Sequence, residues 1–284
     1  MDISGKTKIC GLIGNPVEHS FSPFIHNTIS EKLGIDMVYG TFCVKDDLET
    51  AVKGGYELGI QGFNVTVPHK QNVINALAKV DDIAGMIGAV NTLVRVDGGY
   101  KGYNTDIIGF VRELDDAGID ICANTFFIIG AGGAARAIAY ILAYSKAKDI
   151  YMYNRTKEKA LDIQEHIYSN LGVKIHVVDT PYVEGLTDYV AVQTTSVGLS
   201  PKVDEMPVTD ERFYDAAKCG VDIIYNPFET AFMKQFAKRG KSSYNGLAML
   251  LYQAVAAYEL WNGCEVDSVV VKETYDLLRK KLGL

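Results

Sequence analysis

The sequence carries no excess of positive charge: 28 lysines and arginines face 35 aspartates and glutamates, for a formal net charge of −7. A nucleic-acid partner ordinarily calls for a basic face, so that class of function is disfavoured. Small anionic ligands remain open, because a few local cations suffice for them. Cysteine is scarce. The five thiols (Cys10, Cys43, Cys122, Cys219, Cys264) lie far apart and form no C-x-x-C. Neither a disulfide framework nor a zinc site is expected, and reduced thiols of a cytoplasmic protein fit best. No apolar run is long enough to span a membrane, and the opening MDISGKTK lacks the apolar core of a signal peptide. Metal-ligand spacing is missing among the five histidines: His19, His26 and His69 lie near polar motifs, while His166 and His176 read as surface residues. Repeats, low-complexity segments and blocks of like charge are also missing. What is present is 48% hydrophobic and 22% charged residues over 284 positions, a globular composition for one large domain or two ordinary ones.

Gly62 to Lys70 reads GFNVTVPHK. Phe63, Val65 and Val67 alternate with Asn64 and Thr66, the period-two pattern of a strand. Pro68 has no N–H to give to a ladder and ends it. Lys70 follows where a helix could begin. These residues fit an edge strand with ordinary polar side chains and a solvated lysine. In an open parallel sheet, however, the strand end and the turn after it are where ligands bind.

Ahead of that stretch, Ile9 to Ile13 is a short apolar run closed by Gly14-Asn15-Pro16, a strand and a turn. In VEHSFSP, Ser22 reads as an N-cap with Pro23 at the first helical position, and the helix stops at Gly34. Ser20 and Ser22 then stand at a helix N-terminus, where free N–H groups and the dipole favour an anion such as a carboxylate. Capping alone also accounts for Ser22, and less well for Ser20. Met37 to Val44 predicts a second strand, and Asp46-Asp47 open a helix to Leu58. Beyond Lys70 the pattern gives helices over 71–78 and 82–86, then IGAVNTLVRV, a Gly98-Gly99 hairpin turn and a return strand over 100–103. Asn91 and Thr92 interrupt an apolar strand, so Asn91 is either a structural hydrogen bonder or a ligand group. Asp106, in Asn104-Thr105-Asp106, begins a helix over 107–117 and on its own reads as a cap.

The composition shifts over 118–124, and TFFIIGAGGAARAIAYILA follows. Five strand formers lead into Gly130, Ala131, Gly132, Gly133, Ala134 and Ala135, then an apolar helix and a second strand, DIYMYN. This is G-x-G-x-x-A in its required setting, where the glycines let backbone approach a pyrophosphate facing the helix N-terminus. An NAD site would place Asp or Glu at the end of the second strand. The residues there are Asn154, Arg155 and Thr156, with Lys157 and Lys159 beyond, which favours NADP: nothing repels a phosphate and Arg155 can fork onto one. Strands over 173–178, 189–193 and 219–224 continue the alternation and predict a doubly wound parallel sheet, with Thr195 and Tyr225 at strand ends beside the glycine loop. A helix over 230–237, a long helix after Asn245-Gly246 that contains Gln253, and a last helix over 268–282 complete the chain.

The assembled motifs closely resemble the shikimate dehydrogenase family. They are PVEHSFSP (16–23), NVTVPHK (64–70), GAVNT (88–92), NTD (104–106), GAGGAA (130–135), NRT (154–156) and NGLAMLLYQA (245–254), in the family's order over nearly the whole chain. The resemblance implies an α/β protein of two domains: an N-terminal α/β substrate domain with a mainly parallel sheet (1–106 plus 246–284) and a Rossmann-like NADP domain (107–245). It implies reversible NADPH-dependent reduction of 3-dehydroshikimate to shikimate in aromatic amino-acid biosynthesis. Carried over, Ser20 and Ser22 hold the substrate carboxylate, with Tyr225 near it. Asn64, Thr66, Asn91, Asp106 and Gln253 bind ring hydroxyls, and Lys70 and Asp106 are the catalytic pair. The cofactor falls to Gly130, Ala131, Gly132, Gly133, Ala134, Asn154, Arg155, Thr156, Lys159, Thr195, Ile223 and Gly246, with no metal. Two positions depart from the commonest family pattern. Lys159 stands where arginine often helps hold the 2′-phosphate, keeping charge but losing the fork. Ile223 stands where a methionine often packs on the nicotinamide. The expected partner is a small molecule, with neither nucleic acid nor membrane, for a monomer or homodimer. The rivals are an NAD-linked quinate/shikimate dehydrogenase, which would want an acid near Asn154, and a dinucleotide sensor, which would not need Lys70 with Asp106.

Overall fold

The computed structural model describes residues 3–284. The chain forms two compact units, Met1–Gly109 with Leu251–Leu284, and Phe110–Leu250. The first unit contains β1 (Lys8–Gly14), α1 (Ser22–Leu33), β2 (Met37–Cys43), α2 (Leu48–Glu57), β3 (Gly62–Val65), β4 (Lys79–Val80), α3 (Asp82–Ile87), β5 (Thr92–Val96) and β6 (Gly99–Tyr103). Its sheet runs β2-β1-β3-β5-β6-β4. β1 pairs parallel with β2 and β3, and β4 with β6, while β5 is antiparallel to both β3 and β6. The sheet is thus mainly parallel with an antiparallel hairpin set into it.

The strand at the centre of this sheet is β3, flanked by β1 and β5. The edge-strand reading of GFNVTVPHK is therefore overturned. All four residues of β3 are buried, Asn64 included, and the strand stops at Val65 before the alternation does. Gly62 is required there: a Cβ would lie 2.2 Å from Trp261 Nε1 and 2.6 Å from the Leu93 carbonyl oxygen. The segment after Lys70 forms only a single 3-10 turn, Asn72–Ala76, in place of a longer helix.

The chain passes through α4 (Asp106–Asp116) into the second unit. There follow β7 (Thr125–Ile129), α5 (Gly133–Tyr144), β8 (Asp149–Tyr153), α6 (Lys157–Leu171), β9 (His176–Val178), β10 (Tyr189–Gln193), α7 (Glu211–Ala216), β11 (Ala217–Asp222), α8 (Ala231–Ala237), β12 (Ser243–Asn245) and α9 (Leu247–Asn262). The chain returns to the first unit inside α9 and ends in α10 (Ser268–Lys281), which packs on α1. The second sheet, β12-β11-β10-β7-β8-β9, is parallel throughout. This is the doubly wound order, with its switch point between β7 and β10. The strand sequences explain why. Phe126 and Ile128 enter one core cluster while Phe127 and Ile129 enter another, so β7 is buried on both faces and reads as an unbroken apolar run. Among the described residues no helix is long and apolar enough to cross a membrane.

Candidate active site

The polar site of the first unit is built from the ends of β3, β5 and β6. The turn after β3 is anchored at two points. The His69 ring Nε2 meets the Val44 carbonyl at 2.7 Å, and Val90 N–H donates to the Lys70 carbonyl at 2.8 Å. Asn91 lies one residue ahead of β5, not within it. Its N–H donates to the Tyr103 carbonyl at 3.0 Å, and its carbonyl accepts from Val65 N–H at 2.8 Å. This bridge between β3 and β6 fixes the direction of its side chain.

Lys70 and Asp106 meet here. Lys70 Nζ donates to Asp106 Oδ2 at 2.7 Å, and Asn91 Nδ2 donates to Asp106 Oδ1 at 2.7 Å. The lysine side chain is 17% exposed and the aspartate 9%, so this ion pair sits largely out of water, where charge-assisted bonds are strong. Asp106 is the first residue of α4, but it is not the cap. Its own N–H donates to Asn104 Oδ1 at 3.1 Å, so Asn104 serves the helix end and the Asp106 carboxylate is left for side chains.

The two serines also exchange the expected roles. Phe21 is the N-cap residue of α1 and makes no side-chain cap bond, so Ser22 is already helical with Pro23 second. The Ser20 Oγ accepts the Ser22 N–H at 3.2 Å, so Ser20 is the residue that satisfies the helix end. The two hydroxyls are 3.2 Å apart and both face the start of α1. Thr66 is half-buried and its hydroxyl makes no hydrogen bond to the described residues. Gln253 is half-buried on α9 with a protein partner of its own. Asn64 is different. Its Oδ1 accepts from Tyr39 O–H at 2.8 Å and faces His26 Nε2 at 3.2 Å, and its Nδ2 donates to the Asn91 carbonyl at 3.2 Å and to Thr92 Oγ1 at 3.1 Å. All four hydrogen-bonding positions of that amide are occupied from within the protein.

Sequence reasoning gave no site role to Tyr39, Thr92, Thr105 or His26, all buried and all bonded into this cluster. Burial holds the His26 imidazole neutral, lowering its pKa to about 3. The one signal available was a tyrosine and a histidine at positions that strand and helix periodicity assign to the core.

In the second unit the glycine loop follows β7 at the switch point. Gly130 has φ +112°, and a Cβ there would lie 2.5 Å from Thr194 Oγ1 and 2.9 Å from Thr195 Cγ2, so only glycine fits and Thr195 is brought against the loop. Gly132 caps α5 with no side-chain bond, and a Cβ on it would meet nothing within 4 Å. Open space over a helix N-terminus without a side-chain cap fits a pyrophosphate lying on Gly130, Ala131, Gly132, Gly133 and Ala134. Gly246 abuts Ile223: a Cβ there would sit 2.1 Å from the Ile223 carbonyl oxygen. At the end of β8, Asn154 Nδ2 donates to the Thr156 carbonyl at 2.7 Å and shapes the turn. Lys157 is paired with Asp179 at 2.6 Å. Arg155 and Lys159 are exposed and have no ion pair among the described residues, so two cations stand free beside the α6 N-terminus. Tyr225 follows β11 in this unit, half-buried, its phenol pKa raised by burial.

Three family models match. Residues 12–93 match the shikimate dehydrogenase substrate binding domain, 115–194 the shikimate / quinate 5-dehydrogenase domain, and 246–274 the shikimate 5′-dehydrogenase C-terminal domain. A protein of Caldanaerobacter subterraneus subsp. tengcongensis named shikimate dehydrogenase (NADP(+)) is 45% identical over 275 residues, covering 96% of this chain and 98% of that one. Among solved structures, a chorismate mutase/shikimate 5-dehydrogenase fusion protein from Clostridium acetobutylicum superimposes with a TM-score of 0.89 at 38% identity, covering 98% of this chain and 99% of that one. The shikimate 5-dehydrogenase of Thermus thermophilus, solved in complex with NADP(H) and shikimate, gives 0.84 at 29% identity, covering 95% and 99%. With that identity extending over nearly its full length, the chain belongs to the shikimate dehydrogenase family.

Proposed function

We propose that this chain interconverts 3-dehydroshikimate and shikimate with NADP, a step of aromatic amino-acid biosynthesis. The observation that carries the reading is the Lys70–Asp106 pair, nearly dry, with both carboxylate oxygens engaged and the ammonium aimed from the end of a central strand. Bound NADPH supplies the hydride. The protein's share is the proton and the positioning. Lys70 gives a proton to the oxygen that was the ketone and takes it back in the reverse direction, while Asp106 holds the ammonium in place. Ser20 and Ser22 receive the carboxylate at the start of α1. Thr66, Asn91, Asp106 and Gln253 take ring hydroxyls, with Asn64 as the wall behind Asn91. Residues 1–106 with 246–284 act as the substrate domain and 107–245 as the NADP domain. Arg155 and Lys159 meet the 2′-phosphate.

The test is NADP reduction by the purified chain with shikimate, with quinate and with neither. Reduction with shikimate alone supports the proposal. Equal rates with quinate would shift it to a quinate/shikimate dehydrogenase, and no reduction with either would overturn it.

A further inference from the structure

We propose that Tyr39 and Thr92, with His26, are positioning residues that orient the Lys70–Asp106 pair through a one-way chain of buried hydrogen bonds. The inference rests on reading Lys70 and Asp106 as the reacting pair.

The direction of the chain follows from groups that can play only one role. The backbone carbonyl of Asn91 only accepts, so the Asn64 atom beside it is the Nδ2 donor and the Asn64 oxygen faces Tyr39 and His26. That oxygen only accepts, so Tyr39 O–H and His26 Nε2–H both donate to it. The remaining ring nitrogen, His26 Nδ1, is then the bare one, and it is the ring atom left with no partner. The backbone N–H of Thr105 only donates, at 2.7 Å, so the Asn91 atom beside it is Oδ1 and Nδ2 faces Asp106.

Between the two amides lie the Thr92 and Thr105 hydroxyls. Thr92 Oγ1 accepts from Asn64 Nδ2 at 3.1 Å and lies 3.0 Å from Asn91 Oδ1 and 3.1 Å from Thr105 Oγ1. Thr105 Oγ1 is 3.2 Å from Asn91 Oδ1. The Thr92 proton goes either to Asn91 directly or to Thr105, which passes its own to Asn91. Both arrangements run the same way: from Tyr39 through Asn64, the threonine hydroxyls and Asn91 onto Asp106, where Lys70 closes the chain from the other side. Tyr39, Asn64, Thr92, Asn91, Thr105 and Asp106 are each at most 6% exposed, so the sequence is shielded from bulk solvent.

Aligned donors in a low-dielectric interior polarise one another, so a donor removed at the far end weakens the bond made onto Asp106. Asn64 has no hydrogen-bonding position left for a ligand. It acts on the reaction through Asn91, and its fixed amide keeps the Asn91 side chain, and with it the carboxylate, in one orientation.

The test compares Thr92→Val, Thr92→Ser and Tyr39→Phe with the unsubstituted chain and with Lys70→Ala. Valine matches threonine in shape but removes the hydroxyl, so the substitution cuts the chain with little change in packing volume. Thr92→Val is expected to lose about tenfold or more in kcat with less change in the shikimate KM. Thr92→Ser restores kcat to within about twofold, since a hydroxyl is all the chain needs. Tyr39→Phe, at the far end, loses turnover less than Thr92→Val, because His26 still donates to Asn64. Circular dichroism and thermal melting confirm folding, and if Thr92→Val fails to fold the Tyr39→Phe result decides. Normal kcat in Thr92→Val and Tyr39→Phe, alongside a Lys70→Ala variant that has lost turnover, would overturn the chain and leave the reading of Lys70 standing. Normal turnover in Lys70→Ala would overturn both.

Discussion

Replacing Asp222 by asparagine should alter the pH dependence of stability in a predictable direction. Asp222 is the last residue of β11 and is fully buried. Its carboxylate accepts from Thr230 Oγ1 at 2.7 Å and from Ile224 N–H at 3.0 Å, and it forms no ion pair with the described residues. Burial outweighs both bonds and raises its pKa from 3.8 to about 7. The nearby Glu113 is also buried, neither of its oxygens has a hydrogen-bond partner of good geometry among the described residues, and its pKa is raised too, first by burial and then by the Asp222 charge, against a weak contact with the Met249 backbone. Because the folded value lies above the unfolded one, the unfolded chain gives up the Asp222 proton first as pH rises. The aspartate's contribution is therefore greatest in acid and is lost between its unfolded value and about 7. From pH 5 to pH 8 about two units of that window are crossed, or roughly 3 kcal/mol. Asparagine does not titrate. Its amide leaves the Thr230 proton without an acceptor, a cost that is the same at every pH. The absolute order of the two proteins thus depends on pH, and the difference should move by roughly 3 kcal/mol in favour of Asp222→Asn between pH 5 and pH 8. Urea unfolding of both proteins at four or five pH values measures it. A difference that stays flat within about 0.5 kcal/mol would refute the claim that Asp222 is folded with its proton on.

Lys70→Ala should lower kcat by about 10²–10⁴-fold with little change in the shikimate KM, since a positioned proton donor acts mainly on the transition state; steady-state kinetics in both directions checks this. Arg155→Ala should raise the KM for NADPH far more than that for NADH, because only the former carries the phosphate for its fork; equal effects would remove Arg155 from that role. Gly130→Ala combines a left-handed backbone with a Cβ 2.5 Å from Thr194 Oγ1, so it should cost about 2 kcal/mol or more and weaken NADP binding, seen by thermal melting and calorimetry.

The second unit was legible because its strands carry their own signature. TFFII and YVAVQ are buried on both faces, the glycines at 130 and 132 punctuate strand and helix, and the alternation that follows leaves one topology. The first unit was less so. Asn91 and the residues before it look like strand, yet the strand begins only at Thr92. Gly88, with φ +72°, ends α3, and the Asn91 backbone pairs sideways with β3 and β6. The short elements β4, α7 and β12 gave no periodic signal, since two, six and three residues are too few to show one.

Three of the polar residues of GFNVTVPHK show where reading the site from sequence stops. Asn64, Thr66 and Lys70 have the same local context, and residue type alone makes each a plausible ligand group. The structure separates them by what each has left to offer. The Thr66 hydroxyl has no partner among the described residues, and the Lys70 ammonium has one carboxylate and further donors to give. The Asn64 amide is full. That difference is set by Tyr39 and His26, 25 and 38 residues away in the chain. Free hydrogen-bonding capacity is a tertiary property: it depends on which distant groups reach a side chain before the ligand does. The same accounting explains why Asn104, and not Asp106, caps α4. A carboxylate that capped its own helix would have fewer lone pairs for Asn91 and Lys70, and the short Asn104 amide relieves it of that task.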